Sequence, residues 1–231
     1  MAIKPILFNT EMVRAILDGR KTCTRRLLKG PFTVHPNGYI TKPRGNENFC
    51  PYEPPYQPGD ILYVRETWQY LYELDGNEQI IEGTGKYYYA ATDTIPFDTY
   101  VDASGVTHER VPWHPSIHMP KEAARIWLKV TDVRVERLKE ITEDGALREG
   151  AQGIRCDHAG LGVYACTDCM NTGWIEPPQV EFMYIWDSTV KKSDIDRYGW
   201  DANPYVWVIE FERCEKPEEN SNRDSKGRWN Q

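Results

Sequence analysis

RIWLKVTDVRVERL, residues 125–138, is the longest run in the chain that alternates β-branched or apolar residues with charged ones. Val130, Val133 and Val135 recur among Lys129, Asp132, Arg134 and Glu136, a pattern suited to a long strand with one face covered and one polar. Working outward, PYVWVIEFERC (204–214) and ILYVRETW (61–68) read as further buried strands, and KYYYAA (86–91) as another. TEDGALREG (142–150) reads as a short helix capped by Thr142 and stopped by Gly150. PPQVEFMYIWDSTVKK (177–192) reads as an amphipathic helix started by prolines, with Val180, Met183, Tyr184 and Trp186 inward.

Near the start, Pro5–Phe8 is a short apolar run. Thr10 is the expected N-cap of a helix whose Met12, Ala15 and Ile16 form an apolar stripe, widened by Val13 and Leu17. Gly19 is placed to end that helix in the left-handed region. Residues 30–60 read as a long irregular loop rich in Pro, Gly, Asn and Tyr, and 72–84 as polar and turn-like. A hairpin is expected around Ser104 and Gly105, and 215–231 reads as a disordered tail. The element order has many strands and no regular βαβ alternation. It favours an α+β, strand-dominated domain built on a small, partly open β-barrel with flanking helices and long inserted loops.

The chain has 231 residues, eight tryptophans and a formal net charge of −7. That acidity excludes a protein that coats nucleic acid by bulk charge. The start is too polar for a signal peptide and no stretch reaches the length of a membrane span, so a soluble, cytoplasmic protein is expected. Positive charge is nevertheless concentrated in residues 1–30: Lys4, Arg14, Arg20, Lys21, Arg25, Arg26 and Lys29 stand against Glu11 and Asp18. Such an island suits a phosphate or another anion, or is a solvated face balanced by nearby acids. Its densest part is GRKTCTRR (19–26), in which Thr22, Thr24 and Arg26 share a side if the segment is extended.

ILDGRKTCTRR (16–26), GDILYVRETW (59–68), HMPKEAARIWLKVTDVRVERL (118–138), LKEITEDGALREG (138–150) and YGWDANPYVWVIEFER (198–213) together resemble the ASCH domain, in its phage and prophage versions. The resemblance covers roughly residues 3–214 as one domain, with insertions near 30–57, 70–118 and 151–178. It implies a PUA-like β-barrel with a cleft for RNA, a nucleotide or a modified base. The family's basic motif is Gly-x-Lys-x-x-Glu-x-Arg; Gly19, Lys21 and Arg26 match it, and Thr24 stands at the glutamate position. That variant resembles the branch that hydrolyses N(4)-acetylcytidine. By that resemblance Lys21, Thr24 and Glu149 form the candidate catalytic triad, and no cofactor is needed for catalysis.

The chemistry is reasonable from the residues upward. Amide hydrolysis needs an attacking group, a proton carrier and a donor for the developing oxyanion. Glu149 can take a proton from water or from Lys21, and Thr24 can donate to the oxyanion. A lysine among arginines in a dry cleft is expected to be disfavoured as an ammonium. The alternative is that Lys21 binds phosphate, Thr24 closes a turn and Glu149 pairs with an arginine. Arg26, Glu66 and Trp68 are candidate substrate-binding residues: Trp68 can stack on a base and Glu66 can accept from its amino group. Otherwise Trp68 is core, and Glu66 pairs with Arg65 or Arg26. Arg20 and Arg25 are expected to face solvent or acidic partners.

The six cysteines are expected to be thiols or metal ligands. Cys166 and Cys169, with Cys156 and His158, form a candidate structural zinc knuckle over 156–169; free thiols are the alternative. Three functions remain open: an amidohydrolase acting on an acylated base, a non-catalytic module binding RNA or a modified base, and a ribonuclease. Phage-modified DNA is a further candidate partner. His108, His114 and His118 show no paired arrangement and are expected to be surface or structural.

Overall fold

The computed structural model describes residues 1–45, 48–73, 75, 77, 79–96, 100–101, 106–109, 111–156 and 173–218. The chain opens with strand β1 (Ile3–Leu7), helix α1 (Thr10–Leu17) and strand β2 (Cys23–Leu27). The N-cap of α1 is Asn9, not the expected Thr10: Asn9 is extended and its side chain accepts from the Met12 amide at 2.8 Å. Gly19 takes φ +74° as expected. The amides of Arg20 and Lys21 then both donate to Ala15 O at 2.9 Å, which turns the chain sharply into β2.

The expected loop at 30–60 instead holds a small antiparallel sheet of β3 (Thr33–Val34), β4 (Ile40–Pro43) and β5 (Phe49–Pro51). Strand β6 (Ile61–Arg65) follows, then the hairpin of β7 (Trp68–Leu71) and β8 (Lys86–Tyr89). Strands β9 (Tyr100–Val101) and β10 (Thr107–His108) pair antiparallel. The turn expected at Ser104 and Gly105 lies outside the described residues.

The predicted long strand is β11 (Trp127–Arg137), and Thr142 caps α2 (Glu143–Arg148) as expected. Strands β12 (Ile154–Arg155) and β13 (Trp174–Glu176) pair ahead of α3 (Pro178–Thr189). In α3 the buried residues are Pro178, Phe182 and Trp186; Tyr184 is exposed, against the expected inward set. A short helix α4 (Ile195–Tyr198), not anticipated from the sequence, precedes β14 (Tyr205–Cys214). Of the expected tail, 215–218 has no regular structure and the remainder lies outside the described residues.

The main sheet runs β1-β6-β11-β14-β2, with β1 parallel to β6 and every other neighbour antiparallel. The chain is therefore α+β and strand-dominated. Among the described residues no ladder joins β2 to β1, so the sheet is open and does not close into a barrel. Helix α1 links these two edge strands in sequence.

One face of the sheet packs Leu62, Val64, Leu128, Val130, Ile209 and Phe211 with Val13 and Ile16 of α1. On the other face, Val206 and Val208 pack with Leu138, Ala146, Phe182 and Trp186 beneath α2 and α3. A register shift between Val130 and Asp132 inserts one extra residue into β11. It keeps Val133 and Val135 on the first core although Leu128 and Val130 have the opposite parity. Asp132, Arg134 and Glu136 are thereby sent to the α2 face. No helix among the described residues is long and apolar enough to cross a membrane.

Leu128 sits fully buried where β6, β11 and β14 meet. Leu128→Ala is expected to lower unfolding stability by about 2–5 kcal/mol with an unchanged urea m-value, which equilibrium urea denaturation measures.

Candidate functional site: a buried lysine–glutamate pair beside an open sheet seam

Lys21 follows the left-handed turn at Gly19, and Glu149 is the C-cap of α2. The Thr22 amide donates to Arg148 O at 2.8 Å and fastens the start of β2 to the end of α2. Gly150 completes the junction. Its φ is +100°, and a Cβ there would stand 3.0 Å from Ala15 Cβ and 3.5 Å from Lys21 Cβ. Only glycine suits both the turn and the close approach of the two helices. Lys21 Nζ donates to Glu149 Oε2 at 2.5 Å and to Glu149 O at 2.9 Å. The two side chains are 0% and 4% exposed, and the Phe8 ring lies 5.7 Å from Nζ.

The pair is one end of an ionic chain. Arg25 donates to Glu149 Oε1 at 3.3 Å and to Glu136 at 3.2 Å. Arg134 joins Glu136, Asp132 and Glu210, and Arg148 holds both oxygens of Glu210. Lys21, Arg25, Arg134 and Arg148 thus meet Glu149, Glu136, Glu210 and Asp132, with no net charge between them. Arg20 pairs with Asp18 and donates to Gly150 O. The lysine expected to stand among uncompensated arginines is instead enclosed with a carboxylate. Within this cluster burial pushes the Cys23 thiol up to about 12, reinforced by Glu149 and opposed by Lys21, Arg25 and Arg148. Cys23 is therefore a packed thiol, not a nucleophile, at neutral pH.

Thr24 and Arg26 lie on the opposite face of β2 from Arg25, by strand alternation. Thr24 is buried, and among the described residues no hydrogen bond joins it to Lys21 or Glu149. Arg26 spans the open seam: its Nη2 donates to Leu7 O of β1 at 2.8 Å, and its guanidinium lies 5.3 Å from the same Phe8 ring. Burial pulls the Arg26 pKa down, while Tyr56 and Glu149 oppose that shift. A cavity of about 510 Å³ opens along this seam, with Arg26, Lys29, Lys42, Tyr52, Tyr56 and Trp207 among its walls. Another, of about 490 Å³ beside Lys139, Trp174 and Trp200, is lined by none of the candidate residues.

Glu66 and Trp68 belong to a separate cluster. Glu66 is 1% exposed and bound in a two-pronged pair to Arg125, not to Arg65 or Arg26. Trp68 packs against Tyr87 and His114 and joins the core around Met119 and Trp127. Its indole nitrogen is buried with no hydrogen-bond partner among the described residues. His114 and His118 are exposed. Cys156 is buried; His158, Cys166 and Cys169 lie outside the described residues.

Sequence reading missed Glu136 as a partner of Arg25, Glu210 as the partner of Arg134 and Arg148, and Arg125, Lys42, Tyr52 and Tyr56 altogether. A signal for Glu136 existed: Asp132, Arg134 and Glu136 are spaced by two on a strand, so they share a face. Comparison with known proteins returned no match for this chain: no family model, no curated protein and no solved structure.

Removing the charge of Glu149 leaves buried Lys21 with no carboxylate partner among the described residues and Arg25 with Glu136 alone. Glu149→Gln is expected to cost about 3–5 kcal/mol of stability, read by urea denaturation. The acid limb of stability has a source at Glu210. Arg148, against the opposing effect of burial and with help from Arg134, holds Glu210 below its ordinary 4.5. The unfolded carboxylate therefore takes up its proton first. The stabilisation is whole above about 4.5 and is lost as the pH falls through the lower folded value. Between pH 6 and 3, Tm should fall less steeply for Glu210→Gln than for the wild type, as differential scanning fluorimetry across a buffer series would show.

Proposed function

We propose that this chain is an ASCH-type protein of PUA-like fold that acts in the cytoplasm on a modified nucleoside or RNA base. In this reading it removes the acyl group from N(4)-acetylcytidine or a related base. The observation that carries the reading is the contact of Lys21 Nζ with Glu149 Oε2 at 2.5 Å, made across 128 residues of sequence. Arg26 lies against the same phenyl ring and opens on the seam cavity.

Glu149 takes the proton of an attacking water, and the hydroxide adds to the amide carbon. An ammonium has three donors; Lys21 uses two on Glu149, and the third meets the oxyanion together with the Thr24 hydroxyl. Collapse of the tetrahedral intermediate breaks the C–N bond. The proton held by Glu149 passes to the leaving N4 amine, giving the carboxylic acid and cytidine. Because Lys21 is enclosed, the substrate has to open a path to its third donor from the Arg26 side while the pair stays joined.

A second reading rests on the same enclosure. Both Glu149 oxygens are engaged by cations, so the pair is a structural brace in a non-catalytic module that binds a base in the seam. Product chromatography with N(4)-acetylcytidine separates the two. The hydrolase reading expects cytidine and acetate from the wild type, with a loss of about 100-fold or more in Lys21→Ala and a smaller loss in Thr24→Val. Folding of both variants is checked by circular dichroism. Binding of acetylcytidine without turnover would leave the binding module as the function.

A further inference from the structure

Of the seven cationic residues in the first thirty, five have carboxylate partners. Lys4 pairs with Asp60, Arg14 with Glu11, Arg20 with Asp18, and Lys21 and Arg25 with Glu149. The two without one among the described residues, Arg26 and Lys29, both line the seam cavity. There they are joined by Lys42, which β4 of the inserted sheet brings in and which also has no carboxylate partner among the described residues. Acids outnumber bases 35 to 28 in this chain, so chance pairing would sooner neutralise a cation than leave three together. Glu53 is the one acid among the lining residues, and it is exposed and unpaired among the described residues.

Arg26 carries five N–H donors in a planar fork. Among the described residues it uses one hydrogen bond, to Leu7 O. A half-buried guanidinium with unused donors and no carboxylate suits a tetrahedral oxyanion, which it can grip with two parallel bonds while flexible lysines supply point charges. Tyr52 and Tyr56 line the same cavity with their hydroxyls already committed to Lys29 O and Pro5 O. They therefore offer ring surface and not donors, a wall suited to a sugar or base.

We propose that the seam cavity is a phosphate site formed by Arg26, Lys29 and Lys42, so that the ligand is a nucleotide, free or within a single strand, and not a bare nucleoside. This rests on the base-binding reading above for the identity of the base, but not for the phosphate. Lys42 comes from the 30–57 insertion, which assigns that insertion a role in choosing the ligand.

Calorimetric titration of the full chain with cytidine, cytidine monophosphate, inorganic phosphate and a short single-stranded oligonucleotide tests it. The double variant Lys29→Gln/Lys42→Gln is compared; both lysines are exposed, so the fold should persist, as circular dichroism checks. The monophosphate should bind at least about tenfold tighter than cytidine, the equivalent of one charge-assisted hydrogen bond. Inorganic phosphate should compete with it, and the double variant should abolish the difference while leaving cytidine binding unchanged. An oligonucleotide that binds tighter still, with a salt dependence reduced by about one unit of slope per lysine removed, identifies a strand as the source; equal binding identifies the free nucleotide.

Equal affinity for cytidine and its monophosphate, a preference that survives the double variant, or no binding of any phosphate compound would each overturn the proposal. If phosphate and unrelated nucleotides bind while cytidine and acetylcytidine neither bind nor react, the phosphate site stands and the base reading falls.

Discussion

An ammonium and a carboxylate can be buried together only if each completes the other's hydrogen bonding, because either one left alone bears the full cost of desolvation. Lys21 and Glu149 approach that condition with the help of Arg25, which takes the second carboxylate oxygen, and much of the surrounding structure is what allows them to. The turn at Gly19 sets Lys21 at the start of β2, Thr142 starts α2 so that it ends at Glu149, and Gly150 has no side chain to hold the two helices apart. Thr22 then fastens strand to helix through the Arg148 carbonyl. The pair joins one edge of the sheet to the helical layer over it.

Strand alternation divides the work of the cationic segment. Arg25 points to the α2 face and extends the pair into Glu136, Arg134, Glu210 and Arg148. That chain of charges runs across β2, β14 and β11 and lies where the bulge in β11 sends Asp132, Arg134 and Glu136. Arg26 points the other way, into the seam between β1 and β2. One strand thus carries a neutralised, rigid cluster on one side and an uncompensated cation on the other, with Lys21 at the rim between them. Lys42 of β4 and the segment after β5, with Tyr52, Glu53, Pro55 and Tyr56, supply the outer wall of that seam.

The open edge of the sheet is a physical necessity of this arrangement. Closing β1 onto β2 would pair their backbones and leave no room for the Arg26 side chain, which takes over the role of a ladder bond by donating to Leu7 O. Tyr56 does the same one step along, donating to Pro5 O. The edge carbonyls are satisfied by side chains instead of by a neighbouring strand, which blunts the edge and keeps a cavity beside it.

The strands at 61–65, 127–137 and 205–214, the caps at Thr142 and Gly19, and the α+β class were legible in the sequence because they rest on local rules: alternation, capping and the freedom of glycine. The same rules brought Lys21 and Arg26 forward as unusual, and the family resemblance added Glu149. Local rules also misled. Residues 30–60 looked like a loop because their strands are two to four residues long and too short to show a period. Tyr184 looked buried because helical spacing does not say which neighbour covers a face. Other partners lay beyond reach: the sequence offered an arginine for Glu149 without saying that Arg25 takes it alongside Lys21, and that Glu66 takes Arg125 and that Lys42 lines the same cavity as Arg26 depends on tertiary placement. The sequence by itself determined which elements form and which charges are available. Only the tertiary structure decided which charges cancel and which remain free, because pairing depends on distance in space, and here it joins residues 128 positions apart.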